Sequence, residues 1–169
     1  PWDDLVAYSV DQRLAGMEAM SGIPGSTGAT PVQNVGAYGQ EVGQVIASVR
    51  VWDRVGSTER VLTPAECGFA YRDSRLKREP GRVVVLTVSF ELEPGELSRP
   101  VGYAELARTL GVELGERAPL ADVRAAVLEL RRGKGMVWDL ADPTSRSAGS
   151  FFTNPLVPVQ RAVEGCPSW

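Results

Sequence analysis

The chain has 169 residues, 43% of them apolar and 23% charged, with a formal net charge of -3 and no histidine. This is the make-up of a globular protein, either one ordinary domain or two small ones. It argues against nucleic acid as a partner, since there is no basic run, and against a membrane span, since no stretch approaches the roughly twenty apolar residues required.

The two cysteines, Cys67 and Cys166, lie far apart with neither a CxxC spacing nor histidines, so no metal site is expected. Their use points to a reducing compartment, although a disulfide between them stays open. The start, PWDDLVAYSV, lacks the basic and apolar regions of a signal peptide, and a cytoplasmic location is expected. Lys77 and Lys134 are the only lysines among 18 basic residues. Such a skew reflects coding bias, or marks positions where a compact ammonium is needed.

In chain order, residues 2–16 read as an amphipathic helix. Leu5, Val6, Val10 and Leu14 fall at helical spacing, Asp3 and Asp4 suit the first turn, and Gly16 ends it. The segment SGIPGSTGATPVQNVGAYGQE, residues 21–41, follows, with glycines at 22, 25, 28, 36 and 39. Residues 41–53 alternate as a strand, with Val45, Ala47, Val49 and Val51 on one face. ERVLT is a second strand, joined by a hairpin at Gly56-Ser57, and TPAE at Thr63–Glu66 is a capping box. Residues 81–95 predict a strand with Leu86, Val88, Phe90 and Leu92 on one face. EPGELSRPVG reads as a linker. Two helices follow, over 103–112 and over 120–133, the second with Leu120, Val123, Val127 and Leu130 as its buried stripe and Gly133 as its stop.

Four segments carry candidate chemistry. Glycines spaced as in 21–41 let backbone amides approach a ligand, and a phosphate is the commonest such ligand. The pattern is neither GxGxxG nor a Walker loop. A chain of tight turns is the competing account, and Gln33, Asn34 and Tyr38 favour recognition of a polar heterocycle. AYRDSRLK, residues 70–77, is either a solvated turn or an anion clamp in which Arg72 holds a carboxylate. In LRRGKG, Arg131 and Arg132 complement a helix dipole, whereas Lys134, beyond the glycine, admits a phosphate or diphosphate partner. In SAGSFFTNP, Ser150 has no histidine to activate it as a nucleophile. A Ser-Lys pair with Lys134 or Lys77, a proton donor among cations, and a plain turn residue all remain open.

Taken in order, SGIPGSTGATPVQNVGAYGQE, CGFAYRDSRLK, LRRGKGMVWD and SAGSFFTNP closely resemble the UDP-N-acetylenolpyruvoylglucosamine reductases, the flavoenzymes of peptidoglycan precursor synthesis in bacteria. The resemblance implies an α+β fold: the second half of an FAD-binding domain of the vanillyl-alcohol-oxidase (PCMH) type over 1–97, then a small, incomplete α+β substrate-binding domain over 98–169. It implies non-covalent FAD along Gly22, Ile23, Pro24, Gly25 and Ser26, with Ala29, Thr30, Gln33, Asn34, Gly36, Ala37, Tyr38 and Gly39 also at the cofactor. NADPH is the implied reductant and UDP-N-acetylglucosamine enolpyruvate the substrate. Arg72 would hold the substrate carboxylate and Ser150 would protonate C2. Tyr71, Tyr103, Arg131, Lys134 and Asn154 would bind substrate, with Tyr103 matching the type I branch of the family. A monomer is expected.

Relative to that family, an upstream flavin half before Pro1 and a downstream acidic motif after Trp169 are missing, and Glu164 does not replace the motif. The chain therefore reads as an internal fragment that binds FAD weakly and does not turn over. Its alternative is a non-catalytic FAD- or UDP-sugar-binding module.

Overall fold

A computed structural model of the chain describes residues 1–147 and, beyond them, 153, 157, 158 and 161. The first helix, α1, spans Trp2–Asp11 and buries Trp2, Val6 and Ser9. It stops short of the expected Gly16. The polar run Asp11-Gln12-Arg13 leaves nothing to bury, and Arg13 turns into the left-handed region (φ 57°). Leu14–Ala15, strand β1, then pairs antiparallel with Glu93–Pro94. A single 3-10 turn at Glu18–Met20 carries Glu18, Ala19 and Met20 into the interior.

The glycine-rich segment ends in a minute antiparallel hairpin, β2 (Gly36–Ala37) and β3 (Gln40–Glu41). Its two-residue loop, Tyr38-Gly39, has positive φ at both positions (48° and 84°), the mirror-image turn that matches strand twist. The main sheet follows: β4 (Ile46–Asp53), β5 (Thr58–Leu62) and β6 (Val83–Phe90), antiparallel in the order β5-β4-β6. Its inner face, with Val49, Val51, Leu62, Val83, Val85, Val88 and Phe90, packs on Trp2, Val6, Met17 and Met20. Trp2 sets its ring 6.1 Å from that of Phe90 and donates its indole N–H to the Met20 carbonyl at 3.0 Å.

Two expected core positions face solvent, and a common irregularity explains both. The β4–β6 ladder shifts register between Ile46 and Ser48 and again between Arg50 and Val51. Each shift inserts one unpaired residue, Ala47 in β4 and Leu86 in β6, and reverses the facing of what lies beyond it. Ala47 is therefore exposed, with Ile46 buried in its stead, and Leu86 is 43% exposed while Val83 and Val85 join the core.

The expected capping box forms at helix α2 (Pro64–Cys67), where Thr63 and Glu66 satisfy each other's backbone and Gly68 closes the end in the left-handed region. A helix that the sequence reading did not foresee, α3 (Arg75–Arg78), begins at Ser74, whose hydroxyl accepts from Lys77 N and donates to the Val32 carbonyl (2.6 Å). Cys67 is a free thiol whose burial pushes its pKa up to about 11, so it is unreactive.

After strand β7 (Glu93–Pro94), the stretch read as a linker is bonded at Ser98 N to the Ala118 carbonyl and at Val101 N to the Glu116 carbonyl, both 2.8 Å. Helices α4 (Ala104–Leu110) and α5 (Leu120–Gly133) pack through Leu106, Ala107, Val123, Ala126 and Val127 around Val101, Ala118 and, from the first half, Ala19. Helix α5 ends at Gly133, as expected. Gly133 is its last helical residue, and the left-handed residue beyond it is Gly135 (φ 64°), where a Cβ would lie 2.8 Å from the Thr144 carbonyl.

One buried carboxyl group, Glu18, ties these parts, and a second, Asp53, braces the main sheet. The fully buried Glu18 carboxyl accepts from Gly16 N (2.6 Å), Gln40 Nε2 (2.9 Å) and Arg99 N (2.9 Å). Asp53 accepts from Val55 N, Gly56 N, and both Nε and Nη2 of Arg82, and these bonds, the Arg82 pair first, hold its pKa well below the carboxylate range. Glu18→Ala strands three donors and is expected to cost about 3 kcal/mol or more of unfolding free energy, read from urea denaturation. Because Asp53 titrates lower when folded than its unfolded value of roughly 3.9, its contribution is complete above that value and is lost as pH falls. The urea midpoint is expected to drop as pH falls below about 5, and Asp53→Asn to drop less over the same range.

Candidate functional site

The hairpin β2–β3 is where the expected site residues converge. Its open end meets Arg72, which donates through Nη2 to the Gly36 carbonyl (2.5 Å) and through Nη1 to Glu41 Oε1 (3.4 Å). Arg72 sits at φ 51°, a conformation that a non-glycine residue keeps only when its surroundings enforce it. Its guanidinium also lies 5.1 Å from the centre of the Tyr71 ring. Asn34, 2% exposed, is fully committed within the protein: Nδ2 donates to Glu41 Oε2 (2.8 Å) and the Ala70 carbonyl (2.9 Å), and Oδ1 accepts from Gly43 N (2.9 Å). Of five non-glycine residues with positive φ among the described residues, three, namely Asn34, Tyr38 and Arg72, lie here.

The loop end of the hairpin meets the helical half. Tyr38 and Tyr103 pack edge to face with centroids 5.4 Å apart, and Lys134 Nζ stands 5.9 Å from the Tyr38 ring centre. Lys134 is drawn there by Glu105 at 2.7 Å, and that hydrogen bond raises its pKa. Burial raises the Tyr38 pKa, partly offset by Lys134 and Arg131. Arg131 is 8% exposed, donates to the Met136 carbonyl at 3.2 Å, and has a buried Nε with no hydrogen-bond partner among the described residues. Its burial lowers its pKa. A buried, incompletely satisfied guanidinium beside an ammonium is the electrostatic setting for an anionic ligand.

Along the expected cofactor segment, Gly22 N donates to Asp3 Oδ1 (2.7 Å), and Asp3 in turn pairs with both Nη atoms of Arg124 (2.7 and 2.9 Å). Burial raises the Asp3 pKa, but the bonds to Arg124 and Gly22 outweigh it and leave it lowered. The Gly22 amide is thus occupied from within. Pro24, Gly25, Ser26, Ala29 and Gln33 are exposed, and Ile23 is half-buried. Gly25 has φ 114°, and no heavy atom of the described residues lies within 4 Å of where a Cβ would stand. An open backbone edge of this kind suits the extended diphosphate of FAD, and the small side chains leave room for it. Thr30 differs: it is buried and donates its hydroxyl to the Thr27 carbonyl (2.8 Å). Gly36, Ala37 and Gly39 lie on the hairpin between the Arg72 and Lys134 ends.

Ser150 and Asn154 lie outside the described residues, as does Cys166. The structure adds residues that sequence reasoning passed over. Glu41 and Glu105 each hold a candidate cation, and Glu18 with Gln40 fixes the hairpin. The only sequence sign was an acid next to a glycine-rich run, which by composition is an ordinary solvated residue.

No protein-family model matches the chain. Curated relatives do. The chain is 62% identical over 156 residues to the UDP-N-acetylenolpyruvoylglucosamine reductase of Thermobifida fusca, covering 92% of this chain and 44% of that protein. It is 55% identical over 168 residues to the reductase of the same name from Cutibacterium acnes, covering 99% of this chain and 45% of that one. The crystal structure of UDP-N-acetylenolpyruvylglucosamine reductase from Thermus caldophilus superposes with a TM-score of 0.59 at 25% identity, over 89% of this chain and 44% of the other. The chain spans a little under half the length of the curated relatives it matches. Over that span it belongs to the UDP-N-acetylenolpyruvoylglucosamine reductase family.

Proposed function

We propose that the protein reduces UDP-N-acetylglucosamine enolpyruvate to UDP-N-acetylmuramate, in peptidoglycan precursor synthesis in the bacterial cytoplasm, with non-covalent FAD and with NADPH as reductant. Residues 1–97 would carry part of the flavin site and 98–169 part of the substrate site. The observation that supports this best is the convergence of Arg72, Tyr38 and Lys134 on the one hairpin that ends the cofactor segment.

When bound, FAD supplies the hydride that adds to C3 of the enolpyruvyl group. The open backbone at Gly25 and its small neighbours would lie along the diphosphate. Arg72 would bind the substrate carboxylate and stabilise the negative charge that grows on it in the transition state. Its forked donors suit that carboxylate, and the guanidinium is turned to the hairpin, where Nη2 donates to the Gly36 carbonyl. Lys134 and Arg131 would hold the substrate diphosphate, with Tyr103 closing over it. Ser150 would give its proton to C2, a role for which a hydroxyl needs nearby cations and no histidine.

The test replaces the matched stretch of the Thermobifida fusca reductase with these residues. The chimera is expected to be yellow and to oxidise NADPH in the presence of the enolpyruvyl substrate. Ser150→Ala is expected to lower kcat by roughly a hundredfold or more with flavin retained. A colourless protein would sink the cofactor assignment. Flavin binding without turnover would favour a binding module, and turnover untouched by Ser150→Ala would leave the serine without a catalytic part.

A further inference from the structure

A guanidinium that receives a substrate carboxylate, as Arg72 would, must be aimed at it. Arginine carries about 2 kcal/mol of side-chain rotamer entropy, and a half-exposed arginine that must meet a carboxylate at a set angle gains from being held beforehand. The Arg72 side chain retains 23% of its exposure, so burial alone does not fix it.

The hydrogen bonds form a continuous chain from the interior to this group. Asn34 is locked by Gly43 N and the Ala70 carbonyl, and its amide donates to Glu41 Oε2 at 2.8 Å. The other carboxylate oxygen, Oε1, faces Arg72 Nη1 at 3.4 Å. Glu41 is further tethered as the cap of the 3-10 turn Val42–Gln44, where its own N–H donates to Gln44 Oε1 (3.2 Å). Its side chain therefore has little freedom of its own.

Gly36 makes the meeting sterically possible. A Cβ there would stand 2.5 Å from the Gln40 carbonyl oxygen, 2.8 Å from Arg72 Nη1 and 2.9 Å from Glu41 Cγ, inside the distances real Cβ atoms keep. The guanidinium has five donors. The bonds to Gly36 and Glu41 engage one on each Nη, which leaves the others for a ligand.

We propose that Glu41 is a positioning residue for Arg72: its carboxylate, fixed by Asn34 and given room by Gly36, holds the guanidinium in the orientation that receives a substrate carboxylate. This rests on the assignment of Arg72 as the carboxylate-binding group. The charge of Glu41 also keeps the arginine from carrying an unbalanced charge beside the hairpin before substrate arrives.

Two measurements test it. On the chain itself, the side-chain nitrogen NMR signals of Arg72 are expected to show hindered guanidinium rotation, and Glu41→Gln to release it while the urea midpoint changes little. In the chimera, Glu41→Gln is expected to raise KM for the enolpyruvyl substrate and lower its kcat/KM by roughly 10- to 100-fold. The KM for NADPH and the flavin content should stay as they were. An unchanged enolpyruvyl KM in Glu41→Gln, or equal losses for NADPH and flavin, would overturn the proposal. Full activity in Arg72→Lys would instead sink the assignment of Arg72, and the NMR signals would then decide by themselves whether Glu41 holds it.

Discussion

Everything at the hairpin depends on one buried carboxyl group. Glu18 sits in the interior with three N–H donors around it, from Gly16, Gln40 and Arg99. These come from the turn after α1, from the hairpin, and from the segment entering the helical half. Gln40 returns the favour by accepting from Ala19 N at 3.0 Å. A buried carboxyl without such donors would be very costly. The fold is thus stable only when these three segments are brought to the same point, and the arrangement that satisfies Glu18 is also the one that sets hairpin β2–β3.

From that anchor the electrostatics of the site follow a common pattern. Four basic side chains around the hairpin and the cofactor segment are either matched to a carboxylate or driven into the interior. Arg72 is paired with Glu41, Lys134 with Glu105, and Arg124 with Asp3, while Arg131 is buried. Pairing lowers the energy of assembling positive groups at close quarters, and for a surface pair such as Lys134–Glu105 it is weak enough to yield to a stronger anion. Backbone strain adds to this. Asn34, Tyr38 and Arg72 all take left-handed conformations, and tertiary contacts must repay that energy.

Much of this was legible in the sequence because it is local. The capping box at Thr63 and Glu66, the α5 stripe at Val123 and Val127, and the shared facing of Val49 and Val51 in β4 each depend on neighbours within a turn or two, and all three stand in the structure. The facing of Ala47 and Leu86 was not legible, since a bulge is a relation between two strands and leaves no mark on either one's periodicity. The same holds for α3, which depends on Ser74 reaching the Val32 carbonyl, 42 residues away. Arg72 stood out as a candidate by residue type alone. Its partner Glu41 lies 31 residues away in the chain, and only the folded hairpin brings the two together.

The brevity of the hairpin has an implication for how this stretch can change in length. Gln40 and Glu41 are consecutive, so their side chains leave opposite sides of β3, one to Glu18 and the other to Arg72. Adding or removing a single residue in the Tyr38-Gly39 loop would exchange the two sides. The carboxylate would then point toward the interior beside Glu18 and the amide toward the arginine. Both ends would fail together, so this loop should tolerate substitution far better than insertion or deletion.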